Sequence, residues 1–222
     1  MAALTGTGPA GERPGSKGGY IAFEGIEGAG KSTVAKRVAD AIGVTGARVV
    51  EVREPGSTEA GESIRQVLLH SGALESWTEA LLFAAQRAQL AAEVIRPALR
   101  MGMMVMADRS VYSSLAYQGG GRGLGVDRVR FVNQQGLAGT WPDRVVLLKV
   151  DPGTGSSRQE IADRIGAEPT EFLDRVASTY DSLAASEPER FIVIDAALPL
   201  DTVVKTALDA LGFEPEALVR VR

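Results

Sequence analysis

The 222-residue sequence contains no cysteine, which excludes disulfides and thiolate-bound metal centres. It has no apolar run approaching the length of a membrane span. Its first residues lack the basic start and apolar core of a secretory signal. Positive charge is not in excess either, because 24 Lys and Arg stand against 28 Asp and Glu, a formal net charge of −4. A surface that binds nucleic acid by neutralising phosphates needs the opposite balance. Any anionic small molecule must therefore be held by a local cluster of arginines. No Asn-Lys-x-Asp stretch occurs, which weakens a guanine-reading switch as an interpretation. These absences lead to the expectation of a cytoplasmic protein with neither a nucleic-acid nor a membrane partner.

What is present fits one α/β domain with a well-buried core: 45% of residues are apolar and 23% charged. Residues 1–19 are rich in Gly, Pro and Ser and offer little to bury, so a disordered tail or an extended start is expected there. From Tyr20 to the end, short apolar runs alternate with helical stretches. Strands are expected at Tyr20–Glu24, Arg48–Val52, Met103–Asp108, Val145–Val150 and Phe191–Asp195. Each is nearly continuous in apolar character, as strands covered on both faces are. With helices between them the strands should be parallel, giving a three-layer, doubly wound, five-stranded α/β sheet. Ligands of such a sheet bind beyond the C-terminal strand ends. Gly25–Ser32 follows the first strand, Arg53-Glu54-Pro55-Gly56 the second and Asp108-Arg109-Ser110 the third.

The segment Gly25-Ile26-Glu27-Gly28-Ala29-Gly30-Lys31-Ser32, followed by Thr33, matches G-x-x-x-x-G-K-[ST] between a strand and a helix. Glycines let successive backbone N–H groups converge on phosphate oxygens, and the helix start adds a favourable dipole. Lys31 then supplies a point charge to the β and γ phosphates, and the Ser32 hydroxyl is a candidate Mg²⁺ ligand. Asp108, closing the third strand, is the candidate second ligand. Arg53 and Arg109 at strand ends are suited to clamp an acceptor phosphate through their planar forks.

Ser76–Arg100 reads as a helix with two stripes. Leu81, Ala85, Ala88, Ala92, Ile95 and Leu99 are expected to face the core. Phe83, Arg87, Leu90 and Val94 form the second stripe, where Phe83 is either a core or dimer-contact aromatic or a stacking platform for a base. Arg87 on an otherwise apolar stripe needs a partner. After Arg109 the polar side chains Ser113, Ser114 and Gln118 recur at helical spacing, on a base-reading face or a capped surface helix. A glycine-rich breaker, Gly119-Gly120-Gly121-Arg122-Gly123, is expected to end it.

Together, Phe23–Thr33, Arg53–Gly56, Leu81-Leu82-Phe83-Ala84-Ala85-Gln86-Arg87 and Asp108-Arg109, Ser113-Ser114 and Ala116-Tyr117-Gln118-Gly119 resemble the bacterial thymidylate kinases. The resemblance runs in order from about Tyr20 to Leu211. It implies a P-loop nucleoside monophosphate kinase-like fold and transfer of the ATP γ-phosphate to dTMP, with Mg²⁺, in a homodimer. By the same resemblance Glu27 meets the deoxyribose 3′-hydroxyl, and Arg53 and Arg109 hold the acceptor phosphate. Phe83 stacks on thymine, Arg87 bonds its carbonyl, Ser113, Ser114 and Gln118 lie near the base, and Tyr117 crowds the 2′ position. The lid, about 151–168, departs from the family pattern. Asp151–Ile165 is short, carries only Arg158 and Arg164 as candidate catalytic cations, and is followed by Gly166 where an acidic residue is usual. Alternatives are a kinase of another nucleoside monophosphate, or a nucleotide-binding homologue without turnover.

Overall fold

Five parallel strands, β1 (Tyr20–Glu24), β2 (Val49–Arg53), β3 (Met104–Asp108), β4 (Arg144–Lys149) and β5 (Phe191–Asp195), form one sheet in the order β2-β3-β1-β4-β5. The computed structural model describes residues 19–157 and 164–213. Every expected strand is present, with bounds differing by at most one residue at each end. From β1 the chain builds outward to β2 and β3 on one side, then crosses to β4 and β5 on the other. The crevice beyond β1, between β3 and β4, is the switch point at which such sheets bind ligands.

Side chains alternate across β1. Ile21 and Phe23 pack with Val34, Val38 and Ile42 of α1 (Lys31–Val44) and with Val204 and Leu208 of α9 (Leu200–Leu211). Tyr20 and Ala22 join Val105, Ala107, Leu90 and Ile95 on the opposite face. There the remaining core gathers Tyr112, Leu115, Leu147, Val176 and Tyr180. The runs are apolar without a break because both faces are covered.

The helix α3 (Ser76–Leu90) continues through a π turn, Ala91–Ile95, into α4 (Arg96–Arg100). The expected core stripe is not the buried one. Leu81 is 52% exposed and Ala85 and Ala92 face solvent, whereas Ala80, Phe83, Arg87, Leu90 and Ala91 are buried. Alanines occupy both faces of this helix, so its apolar periodicity is weak, and the π turn advances the phase before Ile95 returns to the core.

The glycine triplet also has a packing role. The helix beginning as α5 (Val111–Ser114) runs on as a π turn through Leu115–Gly121. A Cβ at Gly120 would lie 1.9 Å from Thr179 Oγ1, and one at Gly121 would lie 2.6 Å from the Phe172 ring. The glycines let α8 (Thr170–Ser186) approach this turn closely. The helical run then ends at Gly121, with Gly123 at φ 70° just beyond, so the glycine-rich stretch closes it as expected. Among the described residues, no helix is long and apolar enough to cross a membrane.

Candidate active site

The loop after β1 is built on two backbone contacts that forbid side chains. Gly25 has φ 141°, and a Cβ there would meet Leu148 O at 2.4 Å. Gly28 has φ 72°, and its Cβ would meet the carbonyl of Gly155, in α7 (Pro152–Ser157), at 2.0 Å. Gly30, at φ 81°, starts α1 with no side-chain cap and no acid in the first turn. The first N–H groups of α1 are thus left for an anion. Lys31 is buried and donates to Ile26 O at 2.7 Å. Burial and the neighbouring Arg109 charge push its pKa down to about 8, against the pull of Glu27 and Asp108. Ile26 and Ala29 turn into the core, while Ser32 and Thr33 are exposed on the first turn of α1.

A cavity of about 320 Å³ opens beside this loop. Glu27, Gly28, Lys31 and Ser32 line one side, and Arg53, Phe83, Asp108, Arg109, Ser113, Ser114, Tyr117 and Gln118 are among the residues of the others. Strand ends bring Arg53, Asp108 and Arg109 there, because β2 and β3 finish level in register, Arg53 opposite Asp108. The Ser32 hydroxyl bonds the Asp108 carboxylate, so the two candidate metal ligands are adjacent. Arg109 adopts φ 72°, unusual for a residue with a Cβ and worth on the order of 1–3 kcal/mol of strain. Its guanidinium donates to Glu27 Oε1 at 2.7 Å and to Gly25 O at 3.3 Å, and lies 5.1 Å from the Tyr117 ring centre. Tyr117 donates from its hydroxyl to Glu27 Oε2 at 2.7 Å. Burial would raise the Glu27 carboxyl, but Arg109, Lys31 and Tyr117 outweigh it and hold the group below its usual range. Glu27 is therefore an ionised acceptor aimed at the cavity. Arg53 is half exposed and bonds Glu62 Oε1 at 3.1 Å.

Arg87 has the partner that its apolar stripe demanded. Its Nε donates to Glu54 Oε2 at 2.6 Å, Nη1 to Asn133 Oδ1 at 2.5 Å and Ser114 Oγ at 3.0 Å, and Nη2 to Ser110 O at 3.2 Å. The residue is buried and does not line the cavity. In this arrangement it braces the acceptor wall from behind. Arg164 is also elsewhere than expected. It donates to Leu68 O at 2.8 Å and Glu79 Oε2 at 2.7 Å, so its charge is spent away from the phosphate loop. Arg158 lies outside the described residues.

Sequence reasoning missed several contributors. Arg65, on α2 (Glu59–His70), lines the cavity and donates to Pro55 O at 2.8 Å, and Leu69 and Ile165 add apolar wall. An amphipathic surface helix gives no sign that one arginine turns inward. Glu54 lines the cavity too, and burial raises its carboxyl despite the opposing pull of Arg87. Glu24, fully buried at the end of β1, accepts from Ser110, Ser113 and Tyr180 at 2.6–2.7 Å. A charged residue closing an otherwise apolar strand was the available signal. The π turn Leu115–Gly121 carries Tyr117 and Gln118 inward together with Ser113 and Ser114, a use of wide turns common at functional sites.

A family model described as thymidylate kinase matches residues 23–207. The chain is 47% identical over 186 residues to the thymidylate kinase of Pelotomaculum thermopropionicum, covering 81% of this chain and 86% of that protein. It is 44% identical over 190 residues to the thymidylate kinase of Bifidobacterium longum strain DJO10A, covering 83% and 92%. Among solved structures, thymidylate kinase from Ehrlichia chaffeensis superposes with a TM-score of 0.74 at 29% identity, covering 89% of this chain and 99% of that one.

Proposed function

The chain belongs to the thymidylate kinase family, and from that premise we propose how its residues divide the work of transferring the ATP γ-phosphate to dTMP, giving dTDP. The observation that carries the division is the single cavity shared by a P-loop and an arginine-flanked acceptor wall. An oxygen of the dTMP phosphate attacks the γ-phosphorus, and the bond to the β–γ bridging oxygen breaks as ADP leaves. Gly25–Thr33 cradle the ATP phosphates, with Lys31 on the migrating group. Arg53 and Arg109 hold the acceptor phosphate in line. Phe83 offers the thymine a stacking face, with Ser113, Ser114 and Gln118 at its edge. Glu27 accepts from the 3′-hydroxyl, and Tyr117 fills the space a 2′-hydroxyl would need.

Mg²⁺ fits the donor set. Ser32 and Asp108 supply two adjacent oxygens, and no group of three or more His, Cys, Asp or Glu that could hold a metal occurs among the described residues. That suits an ion held by one or two protein oxygens plus substrate phosphates. When bound it would neutralise charge on the β and γ phosphates. Of the two arginines expected to meet the transferring phosphoryl group, Arg164 is committed to Glu79 and Leu68. The charge is then met by Lys31, Arg53 and Arg109, with Arg158 as the remaining lid candidate.

The same reading keeps residues 20–222 as one cytoplasmic kinase domain with a lid at 151–168. It works as a homodimer. Exposed Val67, Leu81 and Phe131, on α2, α3 and α6 (Val126–Leu137), support an apolar contact face for a second copy. Phe131→Glu is expected to give a monomer by light scattering. The activity is tested by ADP release with ATP and dTMP, dUMP, ribothymidylate or no acceptor. Fastest turnover with dTMP and little without acceptor is expected, and equal rates with every acceptor would reject the assignment.

A further inference from the structure

Behind the base end of the cavity lies a carboxylate that the transfer reaction does not use. Glu79, in the first turn of α3, is completely buried. Its Oε1 accepts from Gln118 Nε2 at 2.8 Å and Arg122 Nε at 3.2 Å. Its Oε2 accepts from Arg122 Nη2 at 3.0 Å and Arg164 Nη1 at 2.7 Å. Three side chains from two segments far from it in sequence thus converge on one group. Gln118 lines the cavity, and so does Ile165, the neighbour of Arg164.

We propose that Glu79 is the positioning residue of the base subsite: it orients the Gln118 amide and holds Arg164, and with it Ile165, against the cavity. The proposal rests on the reading of this cavity as the dTMP site. An ionised carboxylate only accepts hydrogen bonds, so the NH₂ end of Gln118 must face Glu79. Its carbonyl oxygen is the end left for a ligand. That acceptor suits the N3–H of thymine and opposes the N3 lone pair of cytosine. Burial alone would raise the Glu79 carboxyl, but the donors from Arg122, Gln118 and Arg164 hold it below its ordinary range.

Arg164 depends on the same carboxylate. Its Nη2 is buried with no hydrogen-bond partner, so Leu68 O and Glu79 carry the guanidinium. Arg122 is shared with Glu168 at 2.6 Å and stacks 4.6 Å from the Phe172 ring centre, so it keeps an anchor when Glu79 is changed.

The test compares KM for dTMP, dCMP and ATP in Glu79→Gln, Gln118→Met and the double variant. An amide at 79 brings an NH₂ into a ring of donors, freeing Gln118 to turn over. Glu79→Gln is expected to raise KM for dTMP about tenfold, the effect of one lost buried hydrogen bond, with KM for ATP nearly unchanged. The preference for dTMP over dCMP should fall in parallel, and most of the penalty should vanish in the Gln118→Met background. Equal rises for both substrates, an unchanged dTMP:dCMP ratio, or a full penalty without Gln118 would overturn the proposal. Should Glu79→Gln fail to fold, Glu79→Asp keeps the charge for the arginines but retracts from Gln118, and the same criteria apply. If wild-type protein binds dTMP without phosphorylating it, the activity fails, and ratios of dissociation constants judge the Glu79 proposal by the same criteria.

Discussion

Arg87→Ala removes a side chain that the family resemblance assigns to the thymine carbonyl but that the fold itself uses heavily. Its guanidinium donates to Glu54, Ser114, Asn133 and Ser110 O, leaving only one Nη2 hydrogen without a protein acceptor. The Arg87–Glu54 pair has a 2.6 Å contact, with both side chains 2% exposed. Removing one member of such a pair strands a buried charge and costs about 3–5 kcal/mol. Glu54 would keep only the Gln86 bond at 3.0 Å, and its Oε1 already has no partner. For a chain of this size that loss lowers Tm by about 6–20 °C.

The pH dependence has a defined sign. Glu54 is already raised above its usual range by burial, and losing Arg87 raises it further. A carboxyl that holds its proton more tightly when folded stabilises the fold at low pH, and that contribution is lost as pH rises from the unfolded pKa through the folded one. The deficit of Arg87→Ala relative to wild type should therefore be larger at pH 8 than at pH 5.5, by urea or thermal denaturation. A variant with wild-type Tm at both pH values, and a raised KM for dTMP alone, would refute this. Arg87 would then act chiefly on the ligand.

Lys31→Ala should keep a cooperative unfolding transition while kcat falls about 100-fold or more, because the charge on the migrating phosphoryl is lost; near-wild-type turnover would remove the P-loop from the mechanism. With its folded pKa lowered to about 8, Lys31 is a cation below that pH and loses its charge above it, so kcat/KM for ATP should fall as pH rises past 8. A flat profile to pH 9.5, or one unchanged by Lys31→Arg, would contradict the assignment. Glu27→Gln should weaken use of dTMP roughly tenfold more than use of its 3′-deoxy analogue, because only the former has the hydroxyl that Glu27 accepts from. Equal losses would move Glu27 away from the sugar.

The phosphate loop was legible because its chemistry is local. A positive φ at Gly25, Gly28 and Gly30 and a lysine at the helix start are set by neighbours in sequence. The strands were legible for a similar reason, since runs buried on both faces have few other readings. The facing of α3 was not, because alanine is nearly as comfortable exposed as buried and a π turn shifts the phase within the helix. Nor were the roles of Arg87 and Arg164. An arginine's partner is chosen by tertiary contact, here Glu54, 33 positions away, and Glu79, 85 positions away. Arg65 was invisible as a site residue because only the fold turns it toward the cavity, whereas Glu24 left one mark, a charge closing an apolar strand.

The central claim is that one cavity joins donor and acceptor so that phosphate passes between them. A single-turnover experiment with enzyme in excess over γ-labelled ATP, with Mg²⁺ and saturating dTMP, tests this directly. The account predicts that the label leaves ATP and appears in dTDP, with little free phosphate. Label recovered mainly as inorganic phosphate, at a rate unaffected by dTMP, would contradict it.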